Sequence, residues 1–218
     1  MKTDTAHTYW STEWAQADGT SKWEQPEAEV MTFAQTLAPG AAVLDLGAGV
    51  GRHALALARQ GFAVATLDAA PEGTAEIARI AAAEGLTIDT RNGMMTALPF
   101  PDGAFDHVLS WNVIYHGDED VLRAAIAEIA RVLKPGGTFL GTMLSARRVP
   151  VERAKAPGRE ISRNTWVFDG PGDKVYPHYF CNGRDLLELF SAFEVCRLED
   201  REHETPGSWH WHLVLERL

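Results

Sequence analysis

Cysteine is nearly missing: Cys181 and Cys196 are the only two among 218 residues. A disulfide framework therefore does not hold this chain together, and with no C-x-x-C pair the usual thiolate zinc spacing is absent. Long apolar runs are missing too. No stretch approaches the ~18 consecutive apolar residues that a membrane span needs. The segment Met1-Lys2-Thr3-Asp4-Thr5-Ala6-His7 lacks the apolar core of a secretory signal. The expectation is a reduced, cytoplasmic protein with no membrane partner. Positive charge is scarce: 20 Lys and Arg stand against 30 Asp and Glu, a formal net charge of −10. Nucleic-acid affinity comes largely from Lys and Arg neutralising phosphates, so no nucleic-acid partner is expected. No internal repeat or low-complexity run occurs.

The chain has 45% apolar and 23% charged residues, the balance of a globular protein. Its first segment, up to Gln25, is polar and carries Trp10, Trp14 and Trp23. Pro26 opens a helical pattern with Val30, Phe33, Ala34 and Leu37 on one face, ended by Pro39-Gly40. Strands and helices then alternate. Ala42–Leu46, 62–67, 86–90, Phe105–Ser110 and 138–144 read as strands; 51–60, Pro71–Glu84 and 118–133 read as helices. Repeated βα units of this length imply a parallel sheet covered by helices on both faces. The nearly continuous apolar character of the strands agrees with that. Residues 145–180 are rich in Arg, Pro and Gly and read as an irregular insertion. A helix over 184–190 and strands over 193–198 and 209–216 close the chain. The last strand alternates Trp209, Trp211, Leu213 and Leu215 with His210, His212 and Val214. The expected organisation is an N-terminal helical lid over 1–40 and one domain over 41–218.

The sharpest signal is Val43-Leu44-Asp45-Leu46-Gly47-Ala48-Gly49-Val50-Gly51, which follows a strand and opens a helix. Its third glycine comes two positions after the second, not three as in the dinucleotide fingerprint. That spacing disfavours a nicotinamide dehydrogenase. Asp45 would oppose a pyrophosphate but suits a ligand carrying an ammonium group. The next strand ends at Asp68, about twenty residues past the first glycine, where a carboxylate can accept from both hydroxyls of a ribose.

These residues carry a family resemblance. The loop, Asp68, the run Leu98-Pro99-Phe100-Pro101-Asp102-Gly103-Ala104-Phe105-Asp106, and Arg131-Val132-Leu133-Lys134-Pro135-Gly136-Gly137 resemble the class I S-adenosylmethionine-dependent methyltransferases. The resemblance runs from about residue 40 to 145, with the motifs in the family's order. It implies a Rossmann-like, doubly wound α/β fold with a seven-stranded sheet, mostly parallel with an antiparallel last strand. It implies S-adenosylmethionine as cofactor and S-adenosylhomocysteine as product. By the same resemblance Asp45, Gly47, Ala48, Gly49 and Gly51 surround the methionine part and ribose. Asp68 holds the ribose hydroxyls with Ala69 beside it. Asn92, Gly93, Met94 and Met95 meet the adenine, although many relatives have an Asp where Met94 stands. Ser110 and Trp111 form the floor of the transfer site.

Methyl transfer from a sulfonium is an in-line displacement from an activated donor, so the protein mainly aligns the reactants and excludes water. His116 is the best candidate for a base or acceptor-orienting group, with Tyr115 beside it. The pattern Tyr9-Trp10, Trp14 and Trp23-Glu24-Gln25-Pro26 resembles the lid of thiopurine-type and tellurite-resistance-type methyltransferases, and the three tryptophans are expected at the acceptor. His178 and Tyr179 are expected there too, with Arg147 and Arg148 on the same loop. His210 and His212 share a face and offer a metal pair with His178 or His203, but ordinary strand packing is the expectation and no metal is expected. A small-molecule acceptor is favoured: Ser110-Trp111-Asn112-Val113 lacks the D/N-P-P-Y/F/W form used around a flipped base. The competing expectation is a cofactor-binding regulatory module without turnover.

Overall fold

The Pro39-Gly40 turn, with Gly40 at φ 73°, delivers the chain into the first strand. In the computed structural model, which describes residues 2–18, 21–203 and 205–218, that strand is preceded by α1 (His7–Trp14), a 3-10 turn at Lys22–Glu24 and α2 (Ala28–Ala34). Then follow β1 (Ala42–Leu46), α3 (Arg52–Arg59), β2 (Ala63–Asp68), α4 (Pro71–Glu84), β3 (Ile88–Asn92), β4 (Phe105–Ser110), α5 (Glu119–Val132) and β5 (Leu133–Ser145). The helix limits follow their punctuation. Pro71 starts α4, where its missing N–H costs nothing, and Gly85 ends it in the left-handed conformation at φ 69°. Asp118 caps α5 by accepting from the Val121 N–H at 3.1 Å.

β3, β2, β1, β4 and β5 lie side by side in that order, all parallel. The order reverses between β1 and β4, which opens a crevice at their carboxyl ends. Alternate residues of β1 serve opposite layers: Leu44 and Leu46 pack with Ile126, Ile129 and Phe139, while Val43 packs with Val30, Leu57 and Val64. Both faces are therefore buried, as the apolar strand pattern requires.

The Leu98–Phe105 run and the Arg131 motif belong to one device. The Arg131 guanidinium donates to the carbonyls of Leu98 and Phe100 at 2.9 and 2.8 Å and pairs with Glu128 and Asp102. One rigid side chain thus satisfies carbonyls that the turn-rich connection leaves unpaired. Lys134 reaches back to Asp106 at 2.6 Å.

The irregular stretch expected over 145–180 is instead mostly regular. It holds α6 (Arg148–Lys155), β6 (Gly158–Ser162), β7 (Thr165–Phe168), a 3-10 turn at Asp173–Val175 and β8 (His178–Cys181). The strands are four or five residues long, and β6 exposes a polar Arg159-Glu160, so neither periodicity nor composition marks them. α7 (Gly183–Leu189), opened by an Asn182–Asp185 capping box, leads to β9 (Phe193–Glu202) and β10 (Trp209–Arg217). β10 runs antiparallel to both β5 and β9. The expected seven strands are present in the Rossmann-like arrangement, and β6–β8 extend the sheet to ten.

The extension has a definite place. Leu144 pairs with His210 on one edge of β5 and with Phe180 on the other, and β4 stops pairing at Gly141. β8 therefore continues β4's edge beyond its carboxyl end, beside the crevice. No helix among the described residues is long and apolar enough to cross a membrane.

Candidate active site

A cavity with ≈ 920 Å³ of empty space, its open mouth included, occupies the crevice. The glycine loop lines one side of it through Gly47, Ala48 and Gly49. Gly47, Gly49 and Gly51 have φ of 74°, 53° and 85°, a region other residues enter at a cost. The N–H groups of Gly47 and Ala48 both donate to the Leu67 carbonyl, at 2.7 and 3.3 Å, which binds the loop to the end of β2. A Cβ at Gly49 would stand 2.8 Å from the Trp14 ring, and one at Gly73 would collide with the Gly49 carbonyl. This close approach yields a prediction. An alanine inside a helix normally gains about 1 kcal/mol over glycine, but overpacking costs about 1–3 kcal/mol. Gly73→Ala is therefore expected to lower, not raise, the melting temperature, and to weaken cofactor retention by displacing the loop. A higher melting temperature with unchanged retention would refute it.

Asp68 is held by the same loop. Its Oδ2 accepts from the Gly49 N–H and its Oδ1 from the Ala70 N–H, both at 2.7 Å. Burial pushes its pKa up, while these N–H groups oppose the rise. Asp68, Ala69, Gly93, Met94 and Met95 all line the cavity. Asn92 does not; its Nδ2 donates to the Asp68 carbonyl at 2.9 Å and ties β3 to β2. Asp45 stands behind the loop, where its Oδ2 accepts from the Ala54 N–H at 3.1 Å. Burial raises it to about 7, with the nearby Arg52 guanidinium opposing the rise.

Gly47, Ala48, Gly49 and Trp111 line the cavity, whereas Gly51 and Ser110 do not. Gly51 caps α3 and packs against Ile77. Ser110 is buried and donates its hydroxyl to the Leu46 carbonyl at 2.9 Å, joining the ends of β4 and β1. The floor position belongs instead to Trp111 and Asn112. Asn112 adopts φ 62°, and Thr142 Oγ1 accepts from its N–H at 2.8 Å.

Arg52 also lines the cavity and was not singled out from the sequence. It is 9% exposed, pairs with Glu27 at 3.1 Å and lies 5.7 Å from the centre of the Trp23 ring. A local signal for it exists. A cation at the first position of a helix opposes the macrodipole, so another interaction must favour it there.

The three expected tryptophans meet above the loop. Trp10 stacks on Trp14 with ring centres 5.0 Å apart and meets Trp23 edge-on at 5.5 Å; all three line the cavity. Trp10 also approaches His116, 6.5 Å between ring centres, and His116 closes that end of the wall. The indole N–H groups of Trp10 and Trp111 are buried and have no hydrogen-bond partner within the protein.

The remaining expected residues divide. His178 lies behind His116, rings edge-to-face at 4.6 Å, and both turn towards Asp173. Burial draws the His116 imidazole down to about 4 even though Asp173 opposes it. Tyr115 is buried outside the cavity, and burial pushes its phenol pKa up. Tyr179 is buried in the core, where its hydroxyl accepts from Asn164 Nδ2 at 3.2 Å. Neither tyrosine reaches the cavity wall. His203, His210 and His212 do come together: His203 stacks on His210 at 3.8 Å, and the Nε2 atoms of His203 and His212 are 2.9 Å apart. His212 Nδ1 contacts Glu29 at 2.9 Å and His210 Nε2 contacts Arg148 at 3.1 Å, so these rings are spent on a local polar network away from His178.

Residues 43–137 match a family model described as a methyltransferase domain. A ubiquinone biosynthesis O-methyltransferase of Cereibacter sphaeroides is 35% identical over 180 residues, covering 82% of this chain and 70% of that protein. The chain belongs to the class I S-adenosylmethionine-dependent methyltransferase family. An uncharacterized protein of Mycobacterium tuberculosis is 34% identical over 178 residues; the match covers 75% of this chain and 63% of that protein's length. Among solved structures, the chain resembles the 1,6-didemethyltoxoflavin N1-methyltransferase of Burkholderia thailandensis, solved with bound 1,6-didemethyltoxoflavin and S-adenosylhomocysteine. The TM-score is 0.72 at 18% identity, covering 98% of this chain and 86% of that one.

The residues present fit the cofactor. The glycines open the backbone to a close ligand, and Asp68 offers a carboxylate for hydroxyl donors. Two orphaned indole N–H groups await acceptors, and the methionines offer a polarisable surface to an aromatic base.

Proposed function

We propose that this methyltransferase acts on a small-molecule acceptor that binds between the tryptophan cluster and His116. The observation that supports this is the continuity of one cavity from the glycine loop and Asp68 to Trp10, Trp14, Trp23 and His116. S-adenosylmethionine supplies an activated methyl group on a sulfonium. The chain's residues do the rest. Asp68 binds the ribose, and Trp111 with Asn112 closes the floor. The tryptophans exclude water and present π faces that attract a cationic sulfur centre. Residues 1–40 act as the lid, since α1 packs on α4 and carries two of these rings across the loop. His116 is a polar group beside the tryptophan cluster and orients the acceptor. Its 3.5 Å approach to Asp173 helps fix the ring.

The test is product release. The purified chain is incubated with S-adenosylmethionine and a panel of thiols, phenols, amines, selenite, tellurite and bulk tRNA. The expected result is S-adenosylhomocysteine release with a small acceptor and none with tRNA. His116→Ala is expected to lower kcat while S-adenosylhomocysteine affinity stays within about twofold. Turnover with tRNA alone would overturn the acceptor class. Tight product binding without turnover on any acceptor would favour a regulatory module.

A further inference from the structure

We propose that His116, Asp173 and His178 form a divalent transition-metal site at the acceptor end of the cavity. His178 Nε2 lies 3.2 Å and His116 Nε2 lies 3.5 Å from the same Asp173 oxygen, Oδ2. One ligand atom from each residue falls within 4.8 Å of the other two. Ligands about 2.1 Å from a tetrahedral zinc stand roughly 3.4 Å apart, so the two measured edges already match.

Four features prepare these atoms for a cation. His178 Nδ1 lies 2.8 Å from the Tyr176 carbonyl, which only accepts, so Nδ1 carries the hydrogen. In the neutral ring, Nε2 then presents a lone pair to a carboxylate. Such outer hydrogen bonds accompany metal-bound histidines generally. His116 Nε2 is buried without a hydrogen-bond partner, although the ring as a whole is 11% exposed. Lys174 holds the other Asp173 oxygen at 3.4 Å and leaves Oδ2 to the rings. The two histidine backbones are themselves in register: Tyr179 N–H donates to the Tyr115 carbonyl at 2.9 Å, and Gly117 N–H to the Pro177 carbonyl at 3.1 Å. A single proton would satisfy one ring; a metal satisfies all three groups.

Two imidazoles and one carboxylate suit zinc, cobalt, nickel or iron(II), not the all-oxygen preference of calcium or magnesium. Three protein ligands leave a coordination position free, the mark of a reactive site. His116 lines the cavity, with His178 and Asp173 behind it, so the ion would sit in the cavity wall at its acceptor end. A metal there lowers the pKa of a coordinated hydroxyl or thiol. This deepens the proposed function and rests on it: the acceptor class becomes one that ligates through oxygen or sulfur.

The chelator-treated full chain is titrated with cobalt(II) and followed by visible absorption, with displacement by zinc as a second readout. Stoichiometric uptake is expected, weakened at least about tenfold in Asp173→Asn and in His178→Gln. His203→Gln, in the neighbouring histidine network, is expected to keep full uptake. Calorimetry with S-adenosylhomocysteine reports folding of each variant and tests the cofactor reading separately. No uptake by the unaltered chain overturns the site. So does undiminished uptake in both ligand variants, or loss of uptake in folded His203→Gln. Cobalt uptake without cofactor binding would leave the site standing and remove the methyltransfer role assigned to it.

Discussion

Asp68→Ala is expected to weaken S-adenosylhomocysteine binding by a hundredfold or more, roughly 3–6 kcal/mol for two charge-assisted hydrogen bonds lost to the ribose. The effect is large because Asp68 does two things at once. Its oxygens already hold the Gly49 and Ala70 N–H groups, so they shape the loop before any ligand arrives. Asp68 also lines the cavity, where its remaining lone pairs are open to a ligand. The apo protein should lose less, because removing a buried carboxylate whose pKa is raised relieves desolvation while it strands two N–H groups. Asp68→Asn does not rescue the site: one backbone N–H would then face the amide's own N–H. Calorimetric titration of both variants checks this, with thermal melting to show they are folded. Retention within about threefold in Asp68→Ala would refute the ribose assignment.

The legible part of this molecule is the part whose signals are local. β1, α4 and β4 fall on their expected limits because Pro71, Gly85 and the glycine loop mark ends that the backbone must respect. That Gly47, Ala48, Gly49 and Asp68 gather at one cavity was legible for the same reason, since the loop and the end of β2 lie within one βα unit. Asp173 carried no such signal. It joins His116 only because β8 returns along the edge of β5, a pairing fixed by long-range register. Ser110 and Tyr179 were misplaced for a related cause. In a sheet covered on both faces, alternation does not say which residue meets a cavity, and both side chains went to the interior. Arg52 stood in the open, next to the third glycine; its conflict with the helix dipole was the clue.

Asp45→Asn is expected to stabilise the apo protein while impairing its use of the cofactor. Asparagine keeps an oxygen for the Ala54 N–H and removes a charge that burial strongly disfavours. The sign follows from the shift. A carboxyl raised from 3.8 to about 7 binds its proton more tightly when folded. Below the unfolded pKa both states are protonated and nothing is lost. As pH rises through the folded pKa, the folded state loses stability until both states are ionised, by at most about 4 kcal/mol for a three-unit shift. At pH 8 the variant should therefore melt several degrees higher, about 2–4 °C for each kcal/mol in a chain of this size. Near pH 4 the two proteins should melt together. Binding runs the other way. A cationic ligand across the loop favours the ionised carboxylate, so wild-type affinity should fall, by up to about tenfold per pH unit, as pH drops below 7. The variant's affinity should be weaker at pH 8 and nearly flat with pH. A variant that melts no higher at pH 8, or keeps the wild-type pH slope of binding, would show that the Asp45 charge is not what couples the loop to its ligand. A variant that melts higher at pH 8 and loses the pH slope of binding would mark the buried carboxylate as stability given up for a charge used in binding.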